Sequence, residues 1–112
     1  MTRSPHGLRA WMLQRLSAVY LGIFLLYFCA AWLLGRPYSW QDWHSWMSHP
    51  LMRSASAGFI LALLIHAWIG MRDIVLDYIH PLGVRLTVLT LIGLVLGGCG
   101  LWALHILLVA AA

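Results

Sequence analysis

Three observations predict an all-α integral membrane protein with three transmembrane helices. Hydrophobic residues make up 62% of the chain, charged residues only 9%, and the mean hydropathy is +0.85. A small soluble domain carries about 25% charged residues, which its large surface requires. Three charge-free runs lie at 16–34, 54–71 and 86–112. Because about 20 helical residues cross a hydrocarbon core of about 30 Å, each run can form a membrane span. A stand-alone soluble enzyme, a disordered tail and a nucleic-acid-binding module are poor fits.

The charged residues predict the orientation of the spans. The formal net charge of +4 suits anionic lipid headgroups, and no nucleic-acid partner is expected. Every basic residue other than His is an Arg, and most of them fall on one side of the three-span arrangement. That side holds Arg3, Arg9, Arg15, Arg72 and Arg85, and the other side holds Arg36 and Arg53. The positive-inside rule therefore predicts a cytoplasmic N-terminus.

The elements follow one another in a single domain over 1–112. The first span, at about 13–34, is expected to stay uncleaved and to end at Gly35, before a loop rich in Trp and His outside the membrane. The second span covers about 52–79, a break follows at 80–83, and the third span covers about 84–109. Cys29 and Cys99 lie inside spans as small apolar side chains, and no disulfide is expected.

Intramembrane polar groups concentrate in the second predicted span. With a step of about 100° per residue, Gly70, Asp73 and Asp77 all lie within about 40° of His66 around the helix. Ionisable groups deep in a membrane are costly and face protein, water or a cofactor. Two interpretations of His66 are open. It is either a neutral imidazole hydrogen-bonded across a helix contact or an axial ligand to haem iron, with Gly70 leaving room for the porphyrin.

The depth of His66 determines where a second haem ligand could come from. His66 lies about 18 Å along the axis from Tyr78 near the inner end of its span. His105 lies about 31 Å from Val84, the inner end of the third span. Two axial nitrogens, each about 2 Å from one iron, cannot span a depth difference of more than about 10 Å. A bis-His haem would therefore need its second histidine from another chain, and His105 is expected to be an interfacial side chain.

Asp77, Tyr78 and Arg15 are the other candidate site residues, at the predicted inner interface. Two interpretations of Asp77 and Tyr78 are open. They are either an ordinary helix end at the membrane interface or a ligand site, in which the phenol donates a hydrogen bond to a carbonyl of a lipid-soluble ligand and the Asp77 carboxylate lies nearby. Two interpretations of Arg15 are also open. Its side chain either snorkels to the membrane surface, or its guanidinium forms a bidentate contact with a propionate or a neighbouring Asp. Arg72 and Asp73 point in different directions around the helix and are not expected to pair.

The third predicted span contributes packing. Gly93 and Gly97 form a GxxxG motif, which is typical of a close contact between two membrane helices. The motif indicates a helix bundle and no particular chemistry.

One known family combines these motifs in a chain of this size. The sequence resembles the D-type hydrophobic membrane anchor subunit of succinate dehydrogenase, respiratory complex II. The likeness covers the three-span layout, and its specific part is the second span. The motifs that carry it are His66-Ala67-Trp68-Ile69-Gly70-Met71, Asp77-Tyr78, Pro81 and, at the start of the first span, Arg15-Leu16-Ser17-Ala18.

The resemblance implies a function and a set of partners. Such an anchor pairs with a C-type anchor to form a heterodimeric bundle, and it docks an iron–sulphur and a flavoprotein subunit in the bacterial inner membrane. The heterotetramer passes electrons from succinate oxidation to ubiquinone, in the tricarboxylic acid cycle and the respiratory chain. FAD and the iron–sulphur clusters would belong to partner subunits, so this chain would have no stand-alone active site.

The resemblance also implies roles for individual residues. His66 would be an axial ligand of haem b, and Tyr78 would contact ubiquinone. Asp77 would lie beside the quinone site, and Arg15 near the haem propionates. Two alternatives are an anchor of a menaquinone-linked fumarate reductase, which can lack haem, and a small transporter or assembly protein with a proton relay through His66, Asp73 and Asp77.

Overall fold

The protein consists of four helices in a computed structural model that describes residues 5–35 and 38–110. The helices are α1 (Pro5–Leu33), α2 (Trp40–Ser48), α3 (Pro50–Tyr78) and α4 (Leu82–Ala110). Helices α1, α3 and α4 are each 29 residues long, and each holds a stretch long and apolar enough to cross a membrane. The described residues form no strand. The predicted all-α class with three membrane-spanning helices is confirmed.

Helix α2 corrects the prediction of a loop between the first two spans. Ser39 begins the helix, since its side-chain oxygen accepts a hydrogen bond from the backbone N–H of Asp42 at 3.2 Å. The indole of Trp46 stacks on the ring of Phe28 in α1, with the ring centroids 5.3 Å apart. Trp43 meets the same phenyl ring edge-on at 6.1 Å. The aromatic residues expected in an interfacial belt therefore also fasten α2 to α1.

Tight connections join the helices. After α1, Gly35 adopts a φ of +94°, a conformation that glycine reaches at little cost and that ends the helix. His49 links α2 to α3, because its backbone N–H bonds to the carbonyl of Trp46 while its side chain accepts from the N–H of Leu51. Pro50 then occupies the first turn of α3, where its missing N–H is not needed.

Helix α3 lies between α1 and α4. Its His66 side faces α1, and on that side the rings of Phe59 and Phe24 stack with centroids 4.7 Å apart. Its opposite side faces α4, where Leu64 and Trp68 lie against glycines of that helix. Within the described residues, no Cα atom of α1 comes within 8 Å of one in α4. The three long helices therefore form one layer with α3 in the middle.

Few side chains are enclosed by this layer. Most large hydrophobic residues of the described chain are exposed, including Leu26 and Leu94. A contiguous apolar surface of this extent belongs in lipid or against other chains. The buried hydrophobic residues are Leu21, Met52, Ile69, Val75 and Leu107.

Two glycines of α4 pack against α3. A Cβ atom placed on Gly93 would lie 3.6 Å from Cζ3 of Trp68, an ordinary contact, whereas one on Gly97 would meet nothing within 4 Å. The closest approach is at Gly100, which is buried and where a Cβ would lie 2.5 Å from Cδ1 of Leu64. Gly93 and Gly100 therefore face α3, and Gly97 does not.

Replacing Gly100 with Val should weaken the contact between α3 and α4. The branched side chain would collide with Leu64, and overpacking of this kind costs about 1–3 kcal/mol. Unfolding of the purified protein in detergent would measure the loss. Combining Gly100→Val with Leu64→Ala should cost less than the sum of the two single changes, because the smaller side chain makes room. Strictly additive losses would show that the two residues do not contact each other.

Candidate functional site

A hydrogen-bonded group between α1 and α3 surrounds His66. Nδ1 of His66 lies 3.2 Å from the hydroxyl oxygen of Ser17 on α1. The same hydroxyl oxygen lies 3.0 Å from the backbone carbonyl of Gln14, one turn earlier in α1. Ser17 is only 7% exposed, and His66 is partly buried. The imidazole is thus held at one ring nitrogen by a neighbouring helix of its own chain.

The two contacts of Ser17 can both be hydrogen bonds in only one tautomer of His66. A carbonyl oxygen can only accept, so in that tautomer the hydroxyl hydrogen of Ser17 goes to Gln14. The hydroxyl oxygen then accepts a hydrogen bond from the Nδ1–H of His66, and Nε2 keeps a lone pair. In the opposite tautomer the hydroxyl would donate to Nδ1, and no hydrogen would lie between it and the carbonyl. Nε2 makes no hydrogen bond within the described part of the chain. It is also absent from the fully buried polar atoms that lack a partner there.

Both interpretations of His66 are compatible with this arrangement, because an imidazole has two nitrogens. The hydrogen bond across a helix contact is present and uses Nδ1. A neutral imidazole whose second nitrogen carries a lone pair is the form that binds metals. In metal sites the other ring nitrogen commonly donates to a protein oxygen, and the Ser17 hydroxyl oxygen lies where it can accept from Nδ1.

Gly70 lies beside a side chain of α1. A Cβ on Gly70 would lie 3.5 Å from the side-chain Nε2 of Gln14, an ordinary contact, so this glycine faces α1. The Oε1 atom of Gln14 is buried and has no hydrogen-bond partner among the described residues, as is also true of Ser56 Oγ and Arg72 Nε.

The register of α4 against α3 supports the predicted depth of the histidines. Gly100 lies beside Leu64 and Gly93 beside Trp68, which places His66 level with about residue 97 of α4. His105 is therefore about 12 Å further along the axis, and it is exposed. Among the described residues, no group of three or more His, Cys, Asp or Glu side chains could hold a metal ion. A metal at His66 would need further ligands that this part of the chain does not supply.

The polar stripe of α3 stops on the outer side of His66. Phe59 lies there and stacks on Phe24 of α1. Further outward, the Tyr20 hydroxyl donates to the carbonyl of Ala55 at 2.6 Å. These aromatic rings interrupt any polar route from His66 to the outer surface.

Asp77 and Tyr78 end α3 at the opposite side of the layer. Both are exposed, Tyr78 to 78%, and neither makes a side-chain hydrogen bond within the described residues. His66 and Tyr78 belong to one uninterrupted helix, which fixes their separation at about 18 Å along its axis. A partly buried imidazole and an accessible phenol are thereby carried on the same rigid element.

The Arg85 side chain fastens the end of α3 that carries Tyr78. Its Nε donates to the carbonyl of Ile79 at 2.9 Å, and its Nη2 donates to the carbonyl of Leu76 at 3.1 Å. These carbonyls belong to the last turn of the helix, where backbone acceptors lack partners and a cation is favourable. From its position in the sequence, Arg85 was expected to serve only as a marker of orientation. A sequence signal was present, since Arg85 follows the Pro81 break by about one helical turn.

Arg15 and Arg72 contact neighbours on their own helices. The guanidinium of Arg15 lies 5.4 Å from the ring centroid of Trp11, in a cation–π contact. Arg15 is exposed and lies about 160° around α1 from Ser17, so the structure does not bring it to His66. Arg72 Nη2 lies 3.3 Å from Oδ1 of Asp73, which corrects the prediction that they do not pair. Adjacent residues point about 100° apart around a helix, and the Arg72 side chain is long enough to curve round to the carboxylate of Asp73.

This geometry defines a class of helical membrane protein with three spans, in which the middle long helix carries a partly buried histidine and ends at a tyrosine. A family model described as succinate dehydrogenase/fumarate reductase transmembrane subunit matches residues 1–100. The succinate dehydrogenase hydrophobic membrane anchor subunit of Coxiella burnetii (strain RSA 493 / Nine Mile phase I) is 36% identical over 107 residues, covering 96% of this chain and 93% of that protein. The chain belongs to the succinate dehydrogenase/fumarate reductase transmembrane subunit family, and the predicted resemblance is confirmed.

Replacing Arg85 with Ala should destabilise the turn between α3 and α4. The last carbonyls of α3 would lose two charge-assisted hydrogen bonds, and we expect the free energy of unfolding to fall by about 1–3 kcal/mol. Chemical unfolding of the protein in detergent is the measurement. Arg9→Ala is the matched control, since Arg9 is an exposed cation whose side chain has no hydrogen bond in the described residues. Equal losses for both variants would contradict a capping role for Arg85.

Proposed function

We propose that this chain is the D-type membrane anchor of a succinate:ubiquinone oxidoreductase, and that it binds haem b jointly with a C-type anchor and forms part of the quinone-reduction site. Electrons from succinate oxidation would reach ubiquinone next to this subunit. The main observation in support of this function is that one unbroken helix, α3, holds a partly buried His66 and an exposed Tyr78 about 18 Å apart along its axis. One rigid element can thus position two redox partners at different depths.

His66 fits the role of a single axial haem ligand. Its Nδ1 is occupied by Ser17, and its Nε2 keeps a lone pair without a partner in the described residues. The depth of His105 is wrong for the same iron, so the second axial histidine is assigned to the C-type anchor. Haem b, when bound, supplies a one-electron centre inside the membrane. His66 would hold that centre against this chain.

Tyr78 and Asp77 fit a quinone site at the inner membrane surface. The Tyr78 hydroxyl is exposed and has no internal partner in the described residues, so it is available to donate a hydrogen bond to a quinone carbonyl. That hydrogen bond orients the quinone ring and stabilises the negative charge that develops on the oxygen during reduction. The neighbouring Asp77 carboxylate is equally accessible and can pass a proton towards the reduced oxygen.

The proposed function also implies partner subunits and a membrane location. The partners are the C-type anchor, an iron–sulphur subunit and a flavoprotein subunit that carries FAD, in a heterotetramer. The extensive exposed apolar surface supports a multi-pass location in the bacterial inner membrane with other chains alongside. Arg15 is assigned to the vicinity of the haem propionates. In this chain its side chain would first have to leave Trp11, since it lies on the far side of α1 from Ser17.

Two other functions are less well supported. An anchor of a menaquinone-linked fumarate reductase shares the family, and a reduced b-type absorbance in the purified complex would distinguish a haem-binding anchor from one without haem. A proton-relay transporter would need a polar route through the membrane. The Phe24–Phe59 stack lies across that route on the outer side of His66.

Replacing Tyr78 with Phe should lower quinone reductase activity by about 10-fold or more, because the phenol hydrogen bond to the reacting oxygen is lost. Haem content and succinate oxidation with an artificial acceptor should stay at the wild-type level, since Tyr78 is exposed and far from His66. Steady-state assays with a soluble quinone and with the artificial acceptor make the comparison. Tyr38→Phe is a matched control, as Tyr38 is an equally exposed phenol on the opposite side of the layer. Undiminished quinone turnover in Tyr78→Phe would remove Tyr78 from the site.

Replacing His66 with Ala should abolish or shift the haem spectrum, because one of two axial nitrogens is lost. A reduced-minus-oxidised spectrum of the purified complex is the measurement. His105→Ala is the control and should retain the normal spectrum, since His105 lies about 12 Å further out. A normal bis-His spectrum in His66→Ala would exclude His66 as a ligand.

A further inference from the structure

We propose that Ser17 is a positioning residue for His66, which accepts a hydrogen bond from Nδ1 of the ligating imidazole and thereby tunes the electron affinity of the haem. The inference rests on the proposed role of His66 as a haem ligand. Its basis is the pair of contacts at the Ser17 hydroxyl, 3.0 Å from the Gln14 carbonyl and 3.2 Å from Nδ1 of His66.

Ser17 lies where it can accept a hydrogen bond from a ligating imidazole. It is one of two buried polar residues of the described chain, at 7% exposure, and lies inside α1. Binding of iron through Nε2 would use the lone pair of that nitrogen and so place the imidazole proton on Nδ1. The Ser17 oxygen would then accept from Nδ1–H, while the hydroxyl hydrogen goes to the Gln14 carbonyl 3.0 Å away.

This hydrogen bond also has an electronic consequence. An imidazole that donates its Nδ1 proton to an oxygen is a stronger electron donor through Nε2. A stronger donor favours the oxidised, more positively charged iron, and so lowers the reduction potential of the haem. With Ser17 in place, the chain therefore biases the haem towards the ferric state. Gln14, Ser17 and His66 would act together, two of them without touching the cofactor.

The experiment uses the purified complex with Ser17→Ala, Ser17→Thr and Thr90→Val. Ser17→Ala deletes one oxygen atom and leaves the helix intact. Ser17→Thr keeps a hydroxyl that can still bond a carbonyl one turn back. Thr90→Val is the matched control, because the Thr90 hydroxyl also donates within its helix, to Leu86 at 2.8 Å, but contacts no histidine. Potentiometric titration of the haem and electron paramagnetic resonance of its ferric form are the readouts.

In Ser17→Ala we expect the ratio of reduced to oxidised haem at one fixed potential to rise about 3-fold to 10-fold, the effect of losing one hydrogen bond to the ligand. A tenfold rise corresponds to about 59 mV for a one-electron couple. The ferric resonance should shift as well. Ser17→Thr should keep both properties closer to wild type, and Thr90→Val should not change them.

The inference is overturned if Ser17→Ala retains the wild-type potential and resonance, or if Ser17→Thr shifts them as far as Ser17→Ala does. Loss of haem from Ser17→Ala supports it when Ser17→Thr retains haem, and overturns it when both variants lose haem. Failure of the proposed function gives a different result, a normal bis-His spectrum in His66→Ala. If His66→Ala loses that spectrum while Ser17→Ala behaves as wild type, only the role of Ser17 fails.

Discussion

The tertiary structure of this protein depends on α3 (Pro50–Tyr78), because it is the one long helix that contacts both of the others. Its two sides use different chemistry. Towards α1 the contacts include hydrogen bonds, from His66 to Ser17 and from Tyr20 to a carbonyl of α3. Towards α4 the contact is steric, with Leu64 packed against Gly100. In a membrane, where apolar burial gives helices little reason to associate, these two kinds of contact are the ones available.

The same geometry explains why the candidate site is divided between the inside and the edge of the layer. His66 lies on the α1 side of α3, deep enough that lipid and protein replace water around it, and its polar nitrogen is satisfied by Ser17. Tyr78 lies where the helix ends and protein contacts stop, so its phenol is accessible. Arg85 closes the turn directly beyond it and restrains the position of that helix end.

The sequence was sufficient to predict the long helices, because they follow from hydropathy and from the rise per residue of a helix. The order of the helices within the layer was not predictable in this way. The first and third spans are charge-free over most of their length, so their composition does not mark which side faces a neighbour. The hydrogen-bond partner of His66 could therefore not be predicted from the sequence, because Ser17 becomes its neighbour only when α1 packs against this side of α3.

Local features were missed for other physical reasons. Helix α2 is short, and its Trp-rich sequence is equally typical of an interfacial loop, so its start at Ser39 was hidden. The Arg72–Asp73 pair depends on the rotamer of a long side chain rather than on helical periodicity. The contact of Gly100 with α3 was not predictable from the GxxxG motif. Such a motif indicates that a close helix contact exists, but it does not specify which residues meet.

The sparse burial of this layer has a consequence for how the subunit comes to exist in a cell. Each long helix is a stable insertion product by itself, since its backbone is internally bonded and its surface suits lipid. What the chain gains by folding alone is small, because so few of its side chains become enclosed. Copies without a partner would therefore fluctuate among loose arrangements and be open to membrane proteases. The abundance of the subunit should then follow the supply of whatever covers its exposed faces, a form of stoichiometric control that needs no dedicated regulator.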